Sequence, residues 1–273
     1  MSAARVTRIA PTPSGYLHLG NAVNFALIAL LASRWDAESV VRIDDMDSSR
    51  SRSEYVDDIF ATLEWLEIEW AKGPRDRADF EREFTMAARI DYYRSQLDVL
   101  DASGLELFAC ACSRADLAAK GGLRCAGECR SAGLDLATDQ TALRLHIPDG
   151  TTVEMSGQSI DLAAAHGDVV LWRRDGVPAY HLASVIEDRD LGITDIVRGA
   201  DLLESSALHV WLAPHLGADD LARANFVHHA LVMDDSGAKL SKSQLASGPL
   251  ERTQKTRDDV RQRAAELADG LGY

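Results

Sequence analysis

The strongest constraint on the fold lies in the opening of the chain. VTRI (6–9) is a β-branched run, APTPSGYLHLGN follows it with two prolines and a glycine, an apolar helix spans about 18–34, and SVVRI (39–43) returns as a strand. Proline removes a backbone donor and fixes φ, so the strand cannot run on through this loop. Strand, crossover helix and strand in that order make a parallel pair, and parallel sheets need helices on their faces.

The rest of the chain extends the pattern. EYVDDIFATLEWLEIEW carries Tyr55, Val56, Ile59, Phe60, Leu63 and Leu66 at helical spacing, and a third helix is expected near 81–102, ending at Ser103-Gly104. Strand signals return at ALRLHI (142–147), TTVEM (151–155), DVVLW (168–172) and ITDIV (193–197), with a helix near 201–212. The expected class is α/β: a doubly wound parallel sheet in two halves, 1–97 and 178–245, interrupted by an α+β insertion over 98–177 and followed by a C-terminal helical segment, 246–273.

Charge and apolar runs exclude some functions. With 43 acidic against 29 basic residues and a net charge of -14, the chain is not built to coat nucleic acid nonspecifically. A local basic stretch survives: from Lys239 to Arg263, seven basic residues stand against three acidic ones. FALIALLAS, from Phe25, is too short to cross a bilayer, and MSAARVTRIA lacks the apolar core of a secretory signal. The four cysteines cluster within twenty positions, so a soluble protein of the reducing cytoplasm is expected.

Two stretches carry chemistry. In PTPSGYLHLGN, His18 and Gly20 stand at a helix mouth, where backbone N–H groups and the positive dipole end attract phosphate. In GAKLSKS, Lys239 and Lys242 lie in a Gly/Ser-rich loop where ammonium groups can close on a pyrophosphate. A lone helix-capping histidine and a solvated lysine loop are common; the pair, at this separation, resembles the two signatures of class I aminoacyl-tRNA synthetases. TRIAPTPSGYLHLGN, VRIDDMD, GLELFACAC, AYHLASVIEDRDLGITDIVRGAD and GAKLSKS follow the order seen in glutamyl-tRNA synthetases. The chain is most similar to their truncated glutamyl-queuosine tRNA(Asp) group, because about thirty residues after KLSKS leave no room for an anticodon-binding domain.

That resemblance implies a Rossmann-type catalytic domain that activates glutamate with ATP and Mg2+, without tRNA, and then esterifies the queuosine base in the anticodon stem-loop of tRNA(Asp). It assigns Arg8, Thr12, Asp44, Tyr180 and Arg198 to the amino-acid pocket. It assigns His18, Gly20, Asn21 and Lys242 to ATP, with His18, Lys242 and Lys239 serving the chemistry. Guanidiniums and a phenol suit a carboxylate, and a carboxylate at 44 suits an ammonium. The chain departs from the family at Asp44, where Glu is usual, at Thr12, where Ser is usual, and at Ser184, where many relatives carry Asn. All three surround the amino acid. A ligase that serves a small molecule or a carrier protein, and a non-catalytic paralogue, are the competing readings.

Cys110, Cys112, Cys125 and Cys129 read C-x-C-x12-C-x3-C, two close thiol pairs suited to one tetrahedral Zn2+ of structural type. Arg114, Lys120, Arg124 and Arg130 surround this knuckle, against Asp116 and Glu128, and can meet RNA phosphates. The expected partners are ATP, an acidic amino acid and tRNA, with no membrane, and the chain is expected to be a monomer.

Overall fold

A computed structural model describes residues 4–47, 50–119, 125, 127–134, 141–232 and 249–273. In chain order the principal elements begin with β1 (Val6–Ile9), α1 (Leu19–Trp35), β2 (Glu38–Val41), α2 (Ser53–Trp65), α3 (Ile90–Ala102) and β3 (Leu107–Cys110). They continue with β4 (Ala142–Leu145), β5 (Thr152–Met155), β6 (Gln158–Asp161), β7 (Val169–Trp172) and α4 (Tyr180–Asp190). The last are β8 (Asp195–Gly199), α5 (Leu203–Leu212), β9 (Asn225–His229) and α6 (Gln254–Gly270). Two compact units result: residues 1–88, 193–202 and 224–273 form the first, and 89–192 with 203–223 form the second. The insertion expected over 98–177 lies inside the second unit, which extends beyond it on both sides.

The first unit is built on a parallel sheet in the order β2-β1-β8-β9. Ile9, Val41, Val197 and Val227 project from one face into a core with Leu27, Ile28 and Leu31 of α1, and Ile59 and Leu63 of α2 belong to the same cluster. α6 packs along α1 through Val260, Ala264 and Ala268, and these small side chains allow the close approach. At the start of the sheet, the Asp195 carboxylate receives Arg5, the Thr194 hydroxyl (2.7 Å) and the Asn225 amide (3.0 Å). Burial works against its charge, but these donors outweigh it and hold the carboxyl below its ordinary range. Gly73, at φ 106°, is required where its backbone crosses β2, since a Cβ there would sit 2.0 Å from the Val41 carbonyl oxygen.

The helix expected near 81–102 is shorter and is approached through broken turns. Residues 80–84 form a π-turn, Thr85 is extended, 86–89 form a 3-10 turn, and the regular helix begins only at Ile90. The Met86 N–H donates to the Asp45 carboxylate at 2.9 Å, a contact across forty-one positions that periodicity cannot register. The second unit carries an antiparallel sheet, β3-β4-β7, and a hairpin, β5-β6. There Tyr93 on α3 donates its hydroxyl to Glu187 on α4 at 2.6 Å, while Arg89 also meets Glu187, so the two helices are tied through one buried carboxylate.

A second buried carboxylate organises the first unit. Asp58 on α2 is 5% exposed, accepts the Leu17 N–H at 2.7 Å and pairs with Arg252, which also reaches Thr62. Replacing Asp58 by alanine leaves a half-buried guanidinium and a buried N–H without this acceptor. The expected loss is about 2–4 kcal/mol of unfolding free energy, with a smaller loss for Asp58→Asn, which keeps an acceptor for Leu17. Denaturant midpoints measure it, and a loss under about 0.5 kcal/mol for Asp58→Ala contradicts the account.

Candidate active site and metal centre

The loop between β1 and α1 builds the anion-facing end of the first unit. His18 is the N-cap of α1, and Asn21 reaches back to accept the His18 N–H at 3.1 Å. The first turn of α1 itself contains no acidic residue, which suits an anion at its positive dipole end. A Cβ on Gly20 would lie 3.1 Å from the His18 imidazole, so glycine lets the ring fold against the helix mouth. His18, Gly20 and Asn21 therefore form one preorganised turn. Its entry is fixed by the Leu17–Asp58 bond, and Asp58 is a residue that motif reading overlooked. Lys239 and Lys242 lie outside the described residues, as do Lys120 and Arg124.

The sheet supplies the second cluster. Thr7 pairs with Asp195 in register, so Arg8 on β1 and Arg198 on β8 project from the same face of neighbouring strands. Both are buried, at 5% and 4% exposure. Two guanidiniums on one face make that face attractive to a ligand with negative charge, since the planar fork matches a carboxylate. Thr12 lies in the β1–α1 loop, and the Asp44 N–H is tied to the Pro11 carbonyl at 2.9 Å. The Asp44 carboxylate takes both arms of Arg42, at 2.6 and 3.2 Å, so the shorter acid is oriented by the residue two positions before it.

Beside Arg198 stands β9, whose Phe226 and His228 face the same side of the sheet. The Arg198 guanidinium lies over the Phe226 ring at 5.3 Å, and the Phe226 and His228 rings run nearly parallel, 11° apart. His228 is also the register partner of Arg198. Burial, then the positive charge of Arg198, then His229 push the His228 imidazole down to about 4. His229 is lowered as well, chiefly by burial. Neither histidine was singled out from the sequence, because NFVHH lacks the apolar alternation that marks a strand.

In the second unit Tyr180 opens α4 and is 43% exposed, so it is not a core aromatic; Ser184, one turn later, is buried. Tyr180 packs with the imidazoles of His181 and His209, which share a hydrogen bond at 3.1 Å. This group lies beside a cavity of about 620 Å³ lined by Arg144, His166, Asp168, Val170, Tyr180 and His181, among others. The imidazole cluster spans 43 positions, from 166 to 209, and no sequence spacing betrays it.

The cysteine spacing does translate into geometry. The sulfurs of Cys110, Cys112, Cys125 and Cys129 all lie within 4.8 Å of one another, and all four residues are free thiols. Cys110 ends β3, and Cys129 sits in a short turn of helix, Glu128–Ser131. Desolvation pushes the Cys110 and Cys112 thiols up, Cys112 to about 12. Cys129 is drawn below its ordinary range: desolvation opposes this, but the backbone N–H of Ala111 and the neighbouring thiols outweigh it. Four convergent sulfurs suit a soft divalent ion, which would displace the thiol protons. Arg144, whose charge favours a thiolate at Cys110, can offset part of the resulting negative charge.

Comparison with known proteins places the chain in a family. The family model of class I tRNA synthetases (E and Q), catalytic domain, matches residues 5–273. The chain is 36% identical over 248 residues to the glutamyl-Q tRNA(Asp) synthetase of Methylococcus capsulatus, covering 89% of this chain and 77% of that protein. It is 37% identical over 294 residues to that of Pseudomonas paraeruginosa, covering 99% and 90%. Among solved structures, the glutamate-tRNA synthetase of Elizabethkingia anophelis aligns with a TM-score of 0.71 at 25% identity, covering 89% of this chain. The chain spans about half the length of that enzyme, 54%.

The two lowered histidines set a pH dependence. Their folded values lie below that of a free imidazole, so between about pH 6.5 and 4 the unfolded chain binds protons that the folded chain refuses. The stability they contribute is complete above pH 6.5 and is lost as pH falls through that window. Tm should drop between pH 7 and pH 5, and His228→Gln should flatten the drop; an equal drop in both proteins contradicts the assignment.

Proposed function

The chain belongs to the class I tRNA synthetases of the glutamate and glutamine catalytic family, ligases that work with ATP and Mg2+, and we propose that it activates glutamate as glutamyl-adenylate and passes the glutamyl group to the queuosine base of tRNA(Asp). The observation that carries this reading is the similarity, over most of their length, to relatives named glutamyl-Q tRNA(Asp) synthetase. The solved glutamate-tRNA synthetases are matched over only about half of theirs.

In this reading the α1 mouth, His18, Gly20 and Asn21, receives the phosphates of ATP, with Lys242 and then Lys239 meeting the pyrophosphate. Arg8 and Arg198 take the glutamate carboxylates, and Thr12 and Asp44 serve the amino-acid end. Both guanidiniums, Thr12, Asp44 and the helix mouth belong to the first unit, which supports activation without RNA. A carboxylate oxygen of glutamate attacks the α-phosphorus, the bond to the β-phosphate bridging oxygen breaks, and pyrophosphate leaves with the electron pair. No general base is needed, since the attacking carboxylate is ionised at neutral pH. Positioning and electrostatic stabilisation do the catalysis, and Mg2+ bound with ATP shares the phosphate charge. A hydroxyl of the modified base then attacks the acyl carbon, AMP departs, and an ester and a released proton remain.

The ring-lined cavity of the second unit supports an RNA acceptor, because Tyr180, His166 and His181 offer faces on which an unstacked base can rest. Cys110, Cys112, Cys125 and Cys129 would hold one Zn2+ that fixes the fold around β3. Transfer to a small molecule or carrier protein is the second reading, favoured by the departures from the family at Asp44, Thr12 and Ser184.

With labelled glutamate, ATP and Mg2+, label should enter tRNA that contains queuosine and be released by mild alkali. Equal labelling of tRNA prepared without queuosine contradicts the acceptor. Protein purified without chelator should carry about one zinc per chain, and thiol modification should release it; four freely titrating thiols in the folded protein contradict the metal site.

A further inference from the structure

We propose that Phe226 and His228 are positioning residues for Arg198, holding its guanidinium in one orientation on the sheet face and thereby setting the affinity for the amino-acid carboxylate. The inference rests on the reading above in which Arg198 meets that carboxylate. An arginine recognises a carboxylate through the fixed fork of its planar group, and an orientation lost in the free protein must be regained on binding. Arg198 is 4% exposed, yet the neighbour over which its guanidinium lies is a ring, Phe226, at 5.3 Å. A π face attracts the cation without consuming the N–H donors that a carboxylate needs.

The geometry extends one residue further. His228, opposite Arg198 in register, lies nearly parallel to Phe226 with centroids 6.4 Å apart. Both rings stand on β9, hydrogen-bonded along its length to β8, so they are carried by the same rigid sheet as the guanidinium. His228 stays neutral beside the arginine, adding polar surface without repelling it. Phe226 thus supports the cation from beneath, and His228 limits its sideways swing.

The test is steady-state kinetics of glutamate-dependent ATP/pyrophosphate exchange on the full chain. Phe226→Leu keeps an apolar side chain but removes the π face. It should raise the KM for glutamate about tenfold while leaving kcat and the KM for ATP within about twofold. Phe226→Tyr should restore the glutamate KM, and His228→Gln should raise it by about threefold. In an Arg198→Lys background Phe226→Leu should add little, because the oriented fork is already gone. An unchanged glutamate KM in Phe226→Leu, where Arg198→Lys raises it, overturns the inference. So does a parallel loss in kcat and both KM values, which marks a structural role. An Arg198→Lys variant with unaltered glutamate KM overturns the underlying assignment of Arg198, and this inference falls with it.

Discussion

The buried Asp58 carboxylate is the interaction on which the first unit turns. It sits on α2, yet it fixes the backbone N–H of Leu17, the residue immediately before the α1 N-cap, and anchors Arg252, which lies just ahead of α6. One carboxylate therefore secures the entry to the helix mouth and the segment leading into the C-terminal helix. A buried ion pair is weak evidence of net stability, since desolvation offsets much of its attraction. Its value here is positional: with Leu17 free to shift, His18 and Gly20 lose the turn that aims the first N–H groups of α1.

The same economy governs the sheet face. Arg8 and Arg198 are buried where most charges are excluded, and Arg42 is engaged by Asp44. The protein thereby gathers two guanidiniums on adjacent strands, with a third close by on its own carboxylate. An overall charge of -14 makes this concentration of positive charge a local construction rather than a property of the surface.

What the sequence reveals depends on how far apart the interacting residues lie. β1 and α1 are readable because Pro11, Pro13 and Gly15 punctuate a short strand-to-helix passage, and the cysteines because their spacing is local. The shared face of Arg8 and Arg198 follows only from register, which no spacing across 190 positions discloses. Asp58 reads as one more polar position on an amphipathic helix, and its partners stand 41 and 194 residues away. β9 escapes because two of its five residues are histidines, and α3 starts late because Asp45 captures the Met86 N–H.

In the proposed mechanism the chain activates its amino acid by itself, on a helix mouth and a pair of guanidiniums carried by one unit. ATP/pyrophosphate exchange, run with each amino acid in turn and with no RNA present, tests it most directly. Exchange should depend on glutamate alone and persist after nuclease treatment. Exchange that appears only when tRNA is added, or that follows a different amino acid, would contradict it.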